Sequence, residues 1–97
     1  MPGIAKTEEF DKWLRRLKDT RAKAKVLVRI DRLSKGNPGD VGAVGEGISE
    51  MRIDYGPGYR VYYKKIGDDF TLLNAGTKAS QAGDIAAAKK IAAALKE

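Results

Sequence analysis

The segment from Ile48 to Ala75 constrains the fold more than any other part of the chain. Two tight turns, Gly56-Pro57-Gly58 and Gly67-Asp68-Asp69, divide it into three runs, ISEMRID, GYRVYYKKI and DFTLLNA. Glycine, proline and aspartate supply turn conformations that other residues resist, so each run reads as a strand. Side chains alternate faces along a strand. Met51 and Ile53 therefore share a face opposite Glu50, Arg52 and Asp54, and Tyr59, Val61 and Tyr63 share one opposite Arg60, Tyr62 and Lys64. Directly paired residues lie on the same side of a sheet. An odd-numbered loop gathers Met51, Ile53, Val61 and Tyr63 on one apolar face and sets Arg52 beside Arg60 on the other. An even-numbered loop mixes Val61 with Arg52 and buries charge. A one-residue slip inverts every side chain, so the apolar pattern selects the first register.

The period changes upstream. In TEEFDKWLRRLKD, Phe10, Trp13, Leu14 and Leu17 fall on one helical face,. Thr7 suits the N-cap, and Glu8 and Glu9 suit the positive end of the helix dipole. A second helix carries Ala22, Val26, Ile30 and Leu33 on one face, with Asp19 or Thr20 as its cap and Gly36 at its end,. The two predict an antiparallel helical hairpin, with Arg15, Arg16, Lys18, Arg21, Lys23, Lys25, Arg29 and Lys35 on its outer faces. GNPGDVGAVGEG holds five of the eleven glycines. It lacks the Gly-Lys-Ser/Thr ending, preceding strand and following helix of a phosphate loop, and reads as a flexible connector. GIAKT is a candidate edge strand. The alanine-rich SQAGDIAAAKKIAAALKE predicts a C-terminal helix with Ile85, Ala88, Ala92 and Leu95 on its apolar face, starting either before or after Gly83-Asp84. The whole predicts one α+β domain over residues 1–97: a helical hairpin packed on a small antiparallel β-sheet, with a C-terminal helix.

Composition narrows the chemistry. With no Cys and no His among 97 residues, disulfides, Cys or His metal sites, cysteine nucleophiles and histidine bases are excluded,. No apolar run approaches the roughly 20 residues needed to span a bilayer. The N-terminus lacks a signal peptide's apolar core. These features predict a soluble intracellular protein. The net charge is +6, and its excess lies early: residues 1–36 carry eleven Lys/Arg against five Asp/Glu. Such a balance favours acidic or phosphate-bearing partners, although it also serves ordinary solubility.

Two arginines set side by side repel unless an anion sits between them. Guanidinium groups bind phosphate oxygens in bidentate fashion, and tyrosines stack on bases. A plain solvated face, with Glu50 and Asp54 pairing the arginines across the ladder, fits the same pattern.

The order of these segments resembles that of the RelE/ParE superfamily of toxin–antitoxin toxins, and within it the small HigB-like addiction module killer proteins. The resemblance runs from about Thr7 to Leu95, and GEGISEMRIDYGPGYRVYY is its most specific part. It implies a RelE-like fold and a toxin that cleaves mRNA on the ribosome, with no metal or cofactor. It also implies a cognate helix-turn-helix antitoxin as partner, and the absence of Cys fits a cytoplasmic location,. Gly58-Tyr59-Arg60 matches the family's Gly-Tyr-Arg strand motif. Arg60 would carry the transition-state charge, with Arg52 assisting and Lys78, in AGTKASQ, as a second phosphate contact or proton-transfer group. Tyr62, Lys64, Gln81, Arg21 and Lys25 would contact RNA. ParE-type relatives share the fold but poison DNA gyrase, and a non-toxic member would bind only its antitoxin.

Overall fold

In the computed structural model, which describes residues 3–95, a five-stranded sheet carries helices on both faces. The elements are β1 (Ile4–Lys6), α1 (Glu8–Arg16), α2 (Thr20–Ser34), β2 (Val41–Gly45), β3 (Ile48–Ile53), β4 (Tyr59–Ile66), β5 (Asp69–Thr77), a 3₁₀ turn (Lys78–Ser80) and α3 (Gln81–Ala94). The strand order is β1-β5-β4-β3-β2. The α+β class holds, but the expected purely antiparallel sheet does not. β1 runs parallel to β5, pairing Ile4 with Phe70 and Lys6 with Leu72. Parallel neighbours need a long crossover, and the chain between them supplies one.

The expected N-terminal helical hairpin is also absent. Thr7 ties the start of α1 to the sheet: its hydroxyl accepts from the Phe10 amide at 3.1 Å and donates to the Leu73 carbonyl at 2.5 Å. Asp19 caps α2 by accepting from the amides of Arg21 and Ala22 at 3.0 and 3.1 Å. At the other end of α2, Gly36 adopts φ 83°, its amide bonds to the Leu33 carbonyl, and the Asn37 amide reaches Arg32 at 2.9 Å. This is a Schellman stop, which requires the left-handed residue that glycine provides. The buried stripe of each helix packs against the sheet rather than against the other helix, and Leu27 and Val28 of α2 stay exposed. Phe10, Ala22, Val26 and Leu33 pack with Met51, Ile53, Tyr59, Val61, Tyr63, Leu72 and Ala75 as the larger core. Trp13 meets the Tyr59 ring edge-on at 6.0 Å.

The glycine-rich stretch is not a simple connector, because it contains β2. Val41 pairs with Met51 and Gly42 with Glu50, and a two-residue hairpin turn closes at Gly45 and Ile48. Both turn residues, Glu46 (φ 55°) and Gly47 (φ 76°), are left-handed, as a primed turn demands,. The segment before β2 is held by Arg29, which is not a free outer cation: it donates to the carbonyls of Arg52 (2.6 Å), Pro38 (3.0 Å) and Asp40 (3.1 Å).

The other sheet face, which carries Arg52 and Arg60, is not a plain solvated face but is partly covered by α3. Ile48, Tyr62, Leu73, Ala88 and Ala92 form a second buried cluster there, joined by Val44, Ile85 and Ile91. Small alanine side chains let the helix approach the sheet closely. A bulge assists. Tyr62 pairs with Asn74 but Tyr63 with Leu72, leaving Leu73 as an extra residue in β5,. Leu72 and Ala75 thus share one core while Leu73 serves the other.

Candidate functional site

The β3–β4 register is the one the apolar pattern selects. Met51 pairs with Val61, Ile53 with Tyr59, and Arg52 directly with Arg60. The two arginines lie on the α3 face but beyond the part that the helix covers. A cleft of about 390 Å³ opens there, lined by Asp40, Arg52, Asp54, Gly56, Pro57, Gly58, Arg60 and Lys78. Arg52, Arg60 and Lys78 are therefore brought together. Lys78 is placed by its backbone, whose amide donates to the Gly58 carbonyl at 2.8 Å. Gly58 (φ 80°) has no Cβ to crowd the cleft floor; one would sit 3.4 Å from the Lys78 Cβ and 3.5 Å from Arg60 Nη1.

The anion between the arginines is internal. Glu50 is only 1% exposed. Its Oε1 accepts from Arg52 Nε at 3.1 Å and lies 3.9 Å from Arg60 Nε. Its Oε2 accepts from the Tyr62 hydroxyl at 3.1 Å and from Gln81 Nε2 at 2.7 Å. Arg52 also pairs with Asp40 through Nη1 at 3.2 Å. Hydrogen bonds that Arg52 donates to Asp40 first, and then to Glu50, bind its proton more firmly than usual. Arg60 is more buried, with 13% of its side chain exposed, and donates through Nη1 to the Tyr59 carbonyl at 3.2 Å. Its Nε is buried and makes no hydrogen bond.

Other expected RNA contacts are placed differently. Tyr62 is fully buried beneath α3 and unavailable for stacking. Burial, reinforced by the Glu50 charge, pushes its phenol well above the ordinary tyrosine range. Gln81 is half-buried and its amide is committed to Glu50. Lys64 lies four residues along β4 from Arg60, roughly 13 Å away along an extended strand. Arg21 and Lys25 are exposed on α2. They line a separate groove of about 660 Å³ with Ala24, Val28, Arg29, Arg32, Ile53 and Asp54. Asp54 borders both the groove and the cleft, so the two adjoin. Lys25 Nζ sits 5.3 Å from the centre of the Tyr55 ring.

Among the described residues, no helix is long and apolar enough to cross a membrane, and no group of three or more Asp or Glu side chains gathers to hold a metal ion.

A small α+β protein with a paired-arginine cleft is what the fold and the site define. No family model matches the chain. An uncharacterized protein of Haemophilus influenzae is 50% identical over 93 residues, covering 95% of this chain and 94% of that one. The chain belongs to the same family as that protein. Among solved structures, a conserved hypothetical protein of Helicobacter pylori, determined in solution, matches with a TM-score of 0.54 at 22% identity. That match covers 81% of this chain and 97% of the other. It is a likeness of fold.

Proposed function

We propose that this protein is a RelE/ParE-type toxin that cuts mRNA on the ribosome, in the cytoplasm, under the control of a cognate helix-turn-helix antitoxin. The observation that carries this reading is the direct cross-strand pairing of Arg52 and Arg60 in a cleft that Lys78 completes. Two guanidiniums and an ammonium around one concavity suit a phosphodiester. The adjoining α2 groove, edged by Arg21 and Lys25, suits the continuing backbone, a role that positions the strand without reading its sequence,.

The chemistry requires no covalent adduct with the protein. The ribose 2′-hydroxyl attacks the adjacent phosphorus, the bond to the 5′-oxygen breaks, and the products are a 2′,3′-cyclic phosphate and a 5′-hydroxyl. Arg60, assisted by Arg52, stabilises the charge that builds on the equatorial oxygens. Lys78, at the rim of the cleft, contacts the same phosphate and gives its proton to the departing 5′-oxygen, to be reprotonated from solvent,. We assign the 2′-hydroxyl proton to Asp54, a cleft carboxylate with no ion pair among the described residues. Tyr62 takes no part, since it is buried and held protonated.

The test is a reconstituted translation system with the purified protein. New mRNA 5′ ends that appear only when ribosomes are present support the reading. Intact mRNA together with blocked supercoiling by DNA gyrase would replace it with the ParE-type activity. Loss of neither, with the antitoxin still bound, would mark a non-toxic member.

A further inference from the structure

We propose that Glu50 is a positioning residue: its buried carboxylate is the fixed counter-anion that holds the Arg52 and Arg60 guanidiniums side by side at the cleft. This rests on the reading that the cleft binds an RNA phosphate. Burying a lone carboxylate is costly, and a well-packed apolar side chain is often at least as stabilising as a buried ion pair. Packing alone therefore gives no reason for an acid at this position between Gly42 and Tyr62 in the sheet. Its geometry gives one. Both arginines turn their Nε edges toward the same oxygen, Oε1, at 3.1 and 3.9 Å. The opposite oxygen, Oε2, is held by Tyr62 and Gln81, which come from β4 and α3. The carboxylate is thus fixed from three elements before any substrate arrives.

The two arginines are held unequally. Arg52 is fixed by hydrogen bonds to Glu50 and Asp40. Arg60 Nε makes no hydrogen bond and is held at Glu50 only at ion-pair distance. A phosphate can draw Arg60 outward while Glu50 stays neutralised by its three remaining donors. Gly42 completes the arrangement. A Cβ there would collide with Arg52 Nη2, so the missing side chain is what leaves room for the Arg52 head.

The experiment compares wild type with Glu50→Gln, which keeps the shape and removes the charge. Three readouts are taken: the arginine Nε–H signals by NMR, affinity for a short single-stranded RNA at several salt concentrations, and single-turnover mRNA cleavage on programmed ribosomes. The expected result is that the Arg52 and Arg60 Nε signals shift and RNA binds at least as tightly, because the cleft has lost a negative charge. Cleavage falls about 100-fold, the scale expected when a catalytic group is misplaced by about 1 Å. Binding that holds while the rate falls separates positioning from simple damage to the fold. Unchanged Nε signals, or cleavage at the wild-type rate, overturn the proposal. Should Glu50→Gln fail to fold, Gln81→Met removes one donor from Oε2 at a half-buried position. It should shift the same Nε signals and slow cleavage several-fold, and no change in either overturns the proposal. If wild type itself leaves mRNA intact, the functional reading fails, while the Nε and RNA-affinity comparisons still decide the role of Glu50.

Discussion

Replacing Tyr62 with phenylalanine isolates one interaction of the buried carboxylate. The ring stays, so the packing against Ile48, Leu73 and Ala88 is retained. Only the hydroxyl that donates to Glu50 Oε2 at 3.1 Å is removed. A hydrogen bond to a charged group contributes about 1.5–3 kcal/mol. Gln81 still donates to the same oxygen at 2.7 Å, so Oε2 is not orphaned and the loss belongs at the low end. We expect about 1.5–2 kcal/mol of destabilisation. At about 4–8 °C per kcal/mol for a chain of this size, that lowers the Tm by roughly 6–16 °C. Urea unfolding at neutral pH measures it, with the midpoint moving and the slope unchanged. Tyr55→Phe is the control. Its hydroxyl reaches Asp19 Oδ2 at 3.4 Å in an exposed contact, and its loss should change stability by no more than about 0.5 kcal/mol,. If Tyr62→Phe is as harmless as Tyr55→Phe, the Tyr62–Glu50 bond is not charge-assisted, and the description of Glu50 as a buried, ionised acceptor is wrong.

Other expectations follow from the same geometry. Gly42→Ala should displace the Arg52 head, slowing mRNA cleavage while the fold, measured by circular dichroism, is kept; wild-type activity would show that Arg52 need not lie over β2. Burial holds the phenols of Tyr62 and Tyr63 above their ordinary value. The unfolded chain releases those protons near pH 10 while the folded protein keeps them. Their contribution is therefore complete below about pH 10 and is lost as pH rises through the higher folded values. Stability measured across that alkaline range should decline, and Tyr62→Phe should decline less steeply. Removing Arg21 or Lys25 should weaken RNA binding equally for all sequences and reduce its salt dependence by about one unit of slope each.

The pairing of Arg52 with Arg60 was legible in the sequence because two constraints agreed: period-two alternation, and the need to keep Met51, Ile53, Val61 and Tyr63 on one side, which selected an odd-numbered loop around Gly56-Pro57-Gly58. The helix caps at Thr7 and Asp19 and the stop at Gly36 were equally local, and so was the short β1. What escaped was non-local. Glu50 alternates with Met51 like any surface acid, and only the arrival of α3 and Gln81 buries it. A signal was present: Ile48, Tyr62 and Leu73 are too apolar for a fully solvated face, and a helix rich in alanine suits close contact with a sheet. The helical hairpin failed because two apolar stripes predict two buried faces without saying that both are spent on the sheet. β2 was hidden because five glycines masked a strand closed by a left-handed Glu46-Gly47 turn. The bulge at Leu73 leaves no mark in the residue pattern, since LLNA reads as a plain buried strand.

Induced expression followed by mapping of mRNA ends, wild type against Arg60→Ala, decides whether the paired guanidiniums of Arg52 and Arg60 act on an RNA phosphate. Wild type is expected to arrest growth and to produce new mRNA ends. The folded variant should lose both, because removing one transition-state donor slows the reaction on the order of a hundredfold to a thousandfold. A folded Arg60→Ala protein that arrests growth and cuts mRNA like the wild type would contradict it.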